Sequence, residues 1–338
     1  MVFAGVAWTA DGYEIEVAGE DGRTLARLRA RTPGEVVAAL LAVGRDVAVV
    51  FDSTNGTVEG GLLGAGFQVY RADPAQLPGR PAFGSVTAAA LADAGRRSAA
   101  GLARIAPGGG AIDGRGEEYS RGIAASAAAE AALARSGRFL AHGARDRPQI
   151  ALTFDDGPCP PYTRGVLDVL ERYDVRATFF CVGLHAAAHP DEVARTVDSG
   201  HLVANHSWSH PFLPDLSRPE LAGQVERTSE ALARAGAAAS AYFRPPYGSR
   251  TPEVLGWLAA QGSVVTLWDV ESSDWACPGA DAIARRTLDR ATAGSIVLLH
   301  DGGGDRSQTV EALPAIIESL LSDGYDLVTV DRIAQARC

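Results

Sequence analysis

Beyond Pro148 the chain repeats one pattern: a short apolar run, a cluster of polar residues, then a stretch of helical periodicity. The runs are Gln149 to Phe154, Ala177 to Cys181, His201 to Ala204, Tyr242 to Phe243, Ser263 to Leu267, Ser295 to Leu299 and Asp326 to Val330. Several lack the alternation of a half-exposed strand, which is how strands buried on both faces read. Between them, Thr163 to Tyr173, Pro219 to Ala235 and Thr309 to Asp323 are long enough for right-handed crossovers. Seven such units predict an α/β domain over residues 148–338 built as a parallel barrel.

The preceding residues follow other rules. Val2 to Trp8, Tyr13 to Ala18 and Thr24 to Ala30, broken at Asp11-Gly12 and Asp21-Gly22, read as a three-stranded meander. Thr32-Pro33-Gly34-Glu35 opens a capped helix and Val47 to Phe51 is an apolar strand, so residues 1–90 are expected to form a small α/β domain. Residues 91–147, rich in alanine and glycine, are expected to be a connector with a break at Pro107-Gly108-Gly109-Gly110 and a helix over Ala124 to Ala134. The first domain resembles the ribonuclease-H-like fold that opens some transposases, where a carboxylate on the first strand begins a metal cluster. Here that place holds Ala7 or Trp8, and only Asp52 matches a second acidic position, so a non-catalytic module is expected. An unrelated α/β accessory domain is the alternative.

The 338 residues are 46% hydrophobic and 21% charged, enough apolar material for two cores. A formal charge of −10 argues against nucleic acid or an anionic membrane as partner, and says nothing about a neutral sugar. The opening, MVFAGVAWTADGYEIEV, lacks the basic and apolar regions of a signal sequence, so a cytoplasmic location is expected, with export left open. Cys159, Cys181, Cys277 and Cys338 form no CxxC pair and are expected to be thiols; in a secreted protein Cys159 and Cys277 would be a candidate disulfide.

In a parallel barrel, catalytic groups sit at the carboxyl ends of the strands, and there the polar residues fall. The clusters are Asp155-Asp156-Gly157-Pro158, Asn205-His206-Ser207-Trp208-Ser209-His210, Arg244-Pro245-Pro246-Tyr247-Gly248, Asp269 through Asp274-Trp275, and His300-Asp301. Adjacent aspartates at a strand end point apart, so one can bind a cation while the other takes a proton. His206 and His210 stand at i and i+4, which brings both imidazoles to one side if the segment turns helically. Two histidines and a carboxylate leave coordination positions open, the arrangement of a catalytic zinc, cobalt or iron. His300, near Asp274, can be held protonated for delivery to a leaving amine. Arg244, stiffened by two prolines, can pair with a carboxylate.

Taken in this order, Thr153-Phe154-Asp155-Asp156-Gly157-Pro158, His206-Ser207-Trp208-Ser209-His210, Arg244-Pro245-Pro246-Tyr247, Asp269 through Asp274-Trp275, and Leu298-Leu299-His300-Asp301 resemble the motifs of the polysaccharide deacetylases, the carbohydrate esterase family with the NodB homology domain. The resemblance covers about residues 148–335 and implies a distorted (β/α)7 barrel and hydrolysis of N-acetyl groups on an amino sugar. It implies Asp155 as general base, His300 as general acid, and one divalent metal, zinc ahead of cobalt or iron, on Asp156, His206 and His210. Arg244 would orient Asp155, Asp274 would tune His300, and the Tyr247 N–H would help hold the oxyanion. Trp275, Leu298 and Pro245 would shape the acetyl pocket. The alternatives are an amidase acting on a small natural product or another carbon–nitrogen substrate, or a carbohydrate- or nucleic-acid-binding module without turnover. Chain length of the acceptor and oligomeric state are not legible.

Overall fold

The structure, a computed structural model, describes residues 2–73, 77, 79, 81, 83–105 and 116–335. The expected Pro107–Gly110 break and Cys338 lie outside the described residues.

The first sheet is built from β1 (Val2–Thr9), β2 (Gly12–Ala18), β3 (Thr24–Ala30), β4 (Val47–Asp52), β5 (Gln68–Ala72) and β6 (Ala103–Ile105), with helices α1 (Pro33–Val43), α2 (Glu59–Gly64) and α3 (Ala88–Ser98). Its strand order is β3-β2-β1-β4-β5-β6, with the first three antiparallel and β1, β4 and β5 parallel. Helix α1 starts as its sequence specifies: Thr32 Oγ1 accepts from Glu35 N at 3.2 Å, while Arg31 N donates to the Glu35 carboxylate at 2.7 Å. Helix α3 lies on β1 because Gly5 leaves room; a Cβ there would strike the Ala88 carbonyl and come within 2.6 Å of Ala92 N. The sheet therefore runs past residue 90 to Ile105, because β6 pairs with β5.

The second body contains α4 (Gly116–Arg135), β7 (Phe139–Leu140), β8 (Gln149–Asp155), α5 (Tyr162–Arg172), β9 (Thr178–Cys181), α6 (Gly183–Ala188), α7 (Pro190–Asp198), β10 (Leu202–Asn205), α8 (Arg218–Arg234) and β11 (Tyr242–Phe243). It continues through α9 (Pro252–Ala260), β12 (Val264–Thr266), β13 (Val270–Glu271), α10 (Ala280–Leu288), β14 (Ile296–His300), α11 (Ser307–Ser322), β15 (Asp326–Leu327) and α12 (Val330–Gln335). The parallel sheet runs β13-β14-β8-β9-β10-β11-β12-β7 and curls into a distorted barrel. Residues 264–271 bring its edges together: β12 pairs with β11 and β7, and β13 a few residues later pairs with β14.

All seven expected strands form, the last in shortened form. The last ends at Leu327, not Val330, because Val330 begins α12, and it pairs only with β8. Two-residue β7 and β13, too short to show periodicity, complete the sheet instead. The expected connector is not one throughout: α4 packs on α9 and β7 belongs to the barrel. Among the described residues no helix is long and apolar enough to cross a membrane. Cys159, Cys181 and Cys277 are free thiols, so the candidate Cys159–Cys277 bridge is absent.

The barrel core centres on β8, whose residues from Ile150 to Asp155 are all buried. Phe154 stacks on Phe179 with centroids 5.1 Å apart. Phe154→Ala removes that ring from a close-packed interior and is expected to lower stability by about 3–5 kcal/mol, read as a fall in the urea midpoint at unchanged slope.

Candidate active site

Strand β8 delivers two carboxylates in opposite senses. Asp155, the last strand residue, points inward; Asp156 then adopts a left-handed backbone, φ 73°, which turns its side chain toward the β10 loop. The Asp155 carboxylate accepts from Arg244 Nη1 at 2.6 Å. Arg244 has no exposed surface, and its guanidinium also donates to Thr153 Oγ1 at 2.8 Å and to the carbonyls of Thr266 and Leu267 at 3.3 and 3.2 Å. It lies 4.0 Å above the Phe180 ring.

The β10 loop supplies the imidazoles, though not as a helical turn. Ser207 and His210 have φ of 66° and 56°, and Gln224 Oε1 accepts from Trp208 N at 2.8 Å and Ser209 N at 3.0 Å, so an irregular loop folds around that amide. A left-handed backbone at non-glycine positions cannot be read from i, i+4 spacing. The imidazoles still meet, with centroids 4.9 Å apart. His206 Nδ1 is 2.7 Å from the Arg244 carbonyl oxygen; donating there leaves Nε2 with its lone pair facing inward. His206 Nε2 and His210 Nε2 lie 3.4 and 3.2 Å from Asp156 Oδ1.

One ligand atom from each of Asp156, His206 and His210 falls within 4.8 Å of the others. Asp156 Oδ1 is buried and has no hydrogen-bond partner, an expensive state for a carboxylate oxygen unless a cation satisfies it. This donor set fits one divalent metal. Burial works against ionisation of Asp156, but His210 and His206 outweigh it and hold the carboxyl well below its usual range. Burial pushes His210 down to about 3, against the pull of the Asp156 carboxylate.

Across the barrel mouth, His300 closes β14. Its Nδ1 is 2.7 Å from Asp274 Oδ1, and its backbone N donates to Asp274 Oδ2 at 2.8 Å. Asp274 is buried and held by Thr309 Oγ1 at 2.8 Å and Ser272 Oγ at 3.2 Å, while Arg306 Nη1 donates to its carbonyl at 3.0 Å. Burial alone would lower His300, yet the Asp274 carboxylate prevails and raises it to about 9.

The other predicted residues divide. Tyr247 has φ 58°, and its ring lies 4.5 Å from that of His210. Pro245 and Leu298 are buried, with Leu298 on the same face of β14 as His300, and Trp275 is 39% exposed beside Asp274 with its indole N–H on Glu271 at 3.1 Å. Asp269 does not join the site: it binds Ile296 N at 2.7 Å and Arg145 at 2.7 Å, at the opposite end of β14 from His300, because the chain continues into β13 after it. Asp301 is buried, accepts from Thr163 Oγ1 at 2.6 Å, and is raised to about 7, chiefly by burial.

Sequence reasoning missed four supports: Arg306, Thr309, His185, whose Nδ1 is 2.7 Å from the Asp156 carbonyl, and Tyr119, whose hydroxyl donates to the Tyr247 carbonyl at 2.9 Å. None stands in a strand-end cluster, so only contact in space exposes them.

A candidate metal triad stands beside a carboxylate–arginine pair and an imidazole–carboxylate pair at the carboxyl end of a parallel barrel, an arrangement able to activate water and deliver a proton. The sequence profile of the polysaccharide deacetylases matches residues 142–265. The chain is 36% identical over 194 residues to a peptidoglycan-N-acetylglucosamine deacetylase of Bacillus cereus, covering 57% of this chain and 70% of the relative. It is 40% identical over 189 residues to a chitooligosaccharide deacetylase of Sinorhizobium fredii, covering 53% of this chain and 88% of the relative. The crystal structure of the Bc1960 peptidoglycan N-acetylglucosamine deacetylase superposes with TM-score 0.58 at 33% identity, over 60% of this chain and 95% of that one. The chain belongs to the polysaccharide deacetylase family.

The Arg244–Asp155 pair makes a test of the buried charges. Arg244→Leu leaves Asp155 without its cation and is expected to cost about 3–5 kcal/mol by denaturant titration. The double variant Arg244→Leu, Asp155→Leu should recover a substantial part of that loss.

Proposed function

We propose that this chain hydrolyses N-acetyl groups on an amino sugar, with chitooligosaccharides or peptidoglycan-type glycans as the substrate class, using one divalent metal, zinc ahead of cobalt or iron, on Asp156, His206 and His210. One observation carries the reading: a carboxylate oxygen and two imidazole nitrogens gathered within 4.8 Å of one another, with Asp156 Oδ1 buried and lacking a hydrogen-bond partner. A carboxylate and a raised imidazole, each held by its own partner, flank them. When bound there, the metal supplies Lewis-acid polarisation of the acetyl carbonyl and acidifies water.

Each remaining step falls to the chain's own groups. Asp155, aimed by Arg244, takes the proton of the attacking water as its oxygen bonds to the acetyl carbon. The Tyr247 N–H stabilises the resulting oxyanion. The carbon–nitrogen bond then breaks as His300, held protonated by Asp274, gives its proton to the departing nitrogen, leaving acetate and a free amine. Pro245, Leu298 and Trp275 shape the space for the acetyl methyl and the sugar.

The direct test is acetate release from N-acetylglucosamine oligomers and peptidoglycan fragments by metal-stripped and zinc-restored protein. Release on restoration supports the reading; none from any substrate with zinc bound contradicts it. Asp155→Asn should lose roughly 100- to 10,000-fold in kcat while binding metal as before. The alkaline limb follows from His300. Its proton-donating form is present below about 9 and lost above, and a cation in the adjacent triad draws that value downward, so kcat/KM falls as pH rises through this region. Asp274→Asn removes the carboxylate that raises His300 and should move the limb to lower pH by roughly a unit or more. An unmoved limb would show that His300 is not the titrating acid.

A further inference from the structure

Among its described residues the first domain carries no metal-binding cluster, yet one of its turns reaches the candidate metal triad. Asp52, at the end of β4, has no exposed surface. Its Oδ1 accepts from Thr54 N at 3.0 Å, and its Oδ2 accepts from Ser85 Oγ at 2.8 Å and Val86 N at 2.7 Å. Asn55 Nδ2 donates to the Val6 carbonyl at 3.2 Å, Thr57 Oγ1 to Asn55 Oδ1 at 3.1 Å, and Trp8 Nε1 to Thr54 Oγ1 at 2.9 Å. The acidic residue that matched a nuclease position is thus spent on shaping a rigid turn.

The outer side of that turn is pinned to the loop carrying His206 and His210. Phe212 N donates to the Ser53 carbonyl at 3.1 Å, Ser209 Oγ to the Thr54 carbonyl at 2.6 Å, and Gly56 N to the Ser209 carbonyl at 3.2 Å. Gly56 lies flat against the site: a Cβ there would strike the His210 carbonyl and the Tyr247 hydroxyl, and come within 2.7 Å of His210 Nδ1. At the far end of the segment, a Cβ on Gly60 would strike the Gly303 carbonyl, and Gly303 in turn is packed on the Asp156 carboxylate. The segment therefore backs one metal-ligand candidate directly and a second through Gly303.

We infer that the first domain is a structural part of the metal site: its Ser53–Gly60 segment fixes the left-handed His210 and the Tyr247 turn, and Gly56 is a positioning residue for the metal. The inference rests on the metal role proposed above. Holding a non-glycine residue at positive φ is strained, so the loop keeps that geometry only where its surroundings enforce it. The inter-domain hydrogen bonds join Gln224 in enforcing it here, from a domain whose described residues include none of the candidate ligands.

The test is the dissociation constant for Co²⁺ on the full chain, by chelator competition and by the visible absorption of the bound ion. It is measured for wild type, Gly56→Ala, Asn55→Ala and the control Gly64→Ala, where a Cβ meets nothing within 4 Å. Gly56→Ala is expected to weaken Co²⁺ binding at least about tenfold and change the absorption band, Asn55→Ala to weaken it severalfold, and Gly64→Ala to leave it unchanged. Should Gly56→Ala fail to fold, Asn55→Ala decides, since it loosens the turn without adding an atom near the ligands. A folded Gly56→Ala, or failing that a folded Asn55→Ala, with wild-type affinity and spectrum overturns the positioning role alone. A wild type that binds no Co²⁺ overturns the metal reading and this inference with it.

Discussion

A guanidinium sealed inside a barrel is the constraint around which this site is arranged. Arg244 has no contact with solvent, and desolvating its charge is tolerable only because Asp155 neutralises it at 2.6 Å and Thr153 and two carbonyls take further donors. The same residue's carbonyl oxygen lies 2.7 Å from His206 Nδ1, which fixes the ring nitrogen facing Asp156. One side chain and its backbone thus tie β8, the end of β11, the β12 exit and the β10 loop into a single geometry. A buried ion pair of this kind can generally be replaced by apolar residues at little cost in stability, so what distinguishes the pair is the fixed position it gives Asp155.

Around that fixed point the backbone is bent where chemistry needs it. Asp156, Ser207, His210, Tyr247 and Ser273 all occupy the left-handed region, and all stand in or beside the clusters that follow the strands. Such residues need over-determined surroundings. Some of the determination is local, as where Gln224 holds the backbone of the β10 loop. Some comes from elsewhere in the chain: Tyr119 of α4 on the Tyr247 carbonyl, and the turn after β4 on Ser209. The division into a catalytic body and an accessory body describes the chain's sheets better than it describes its site.

What the sequence made legible was whatever carries a periodic or positional signal. Strands buried on both faces announce themselves as apolar runs, and polar residues at their ends announce a site, so Asp155, Asp156, His206, His210, Arg244, Asp274 and His300 group together in the sequence pattern alone. The errors have physical reasons. The i, i+4 spacing brings His206 and His210 together only if the segment turns helically, and positive φ at two non-glycine residues makes it instead a loop closed on Gln224 that brings them together another way. Asp269 was grouped with Asp274, but the two residues of β13 carry the chain along β14 between them, so they lie at opposite ends of that strand. The contact of Gly56 with His210 joins residues far apart in sequence through a glycine, the residue type that leaves least trace of what it touches.

The most direct measurement titrates metal-stripped protein with Co²⁺ while following bound metal and acetate release from an N-acetylglucosamine oligomer in the same samples. The geometry predicts that release is absent from stripped protein, rises in proportion to bound metal and saturates at one equivalent. Undiminished release after stripping, or a filled site with no release, would contradict a single buried triad serving an amide hydrolase.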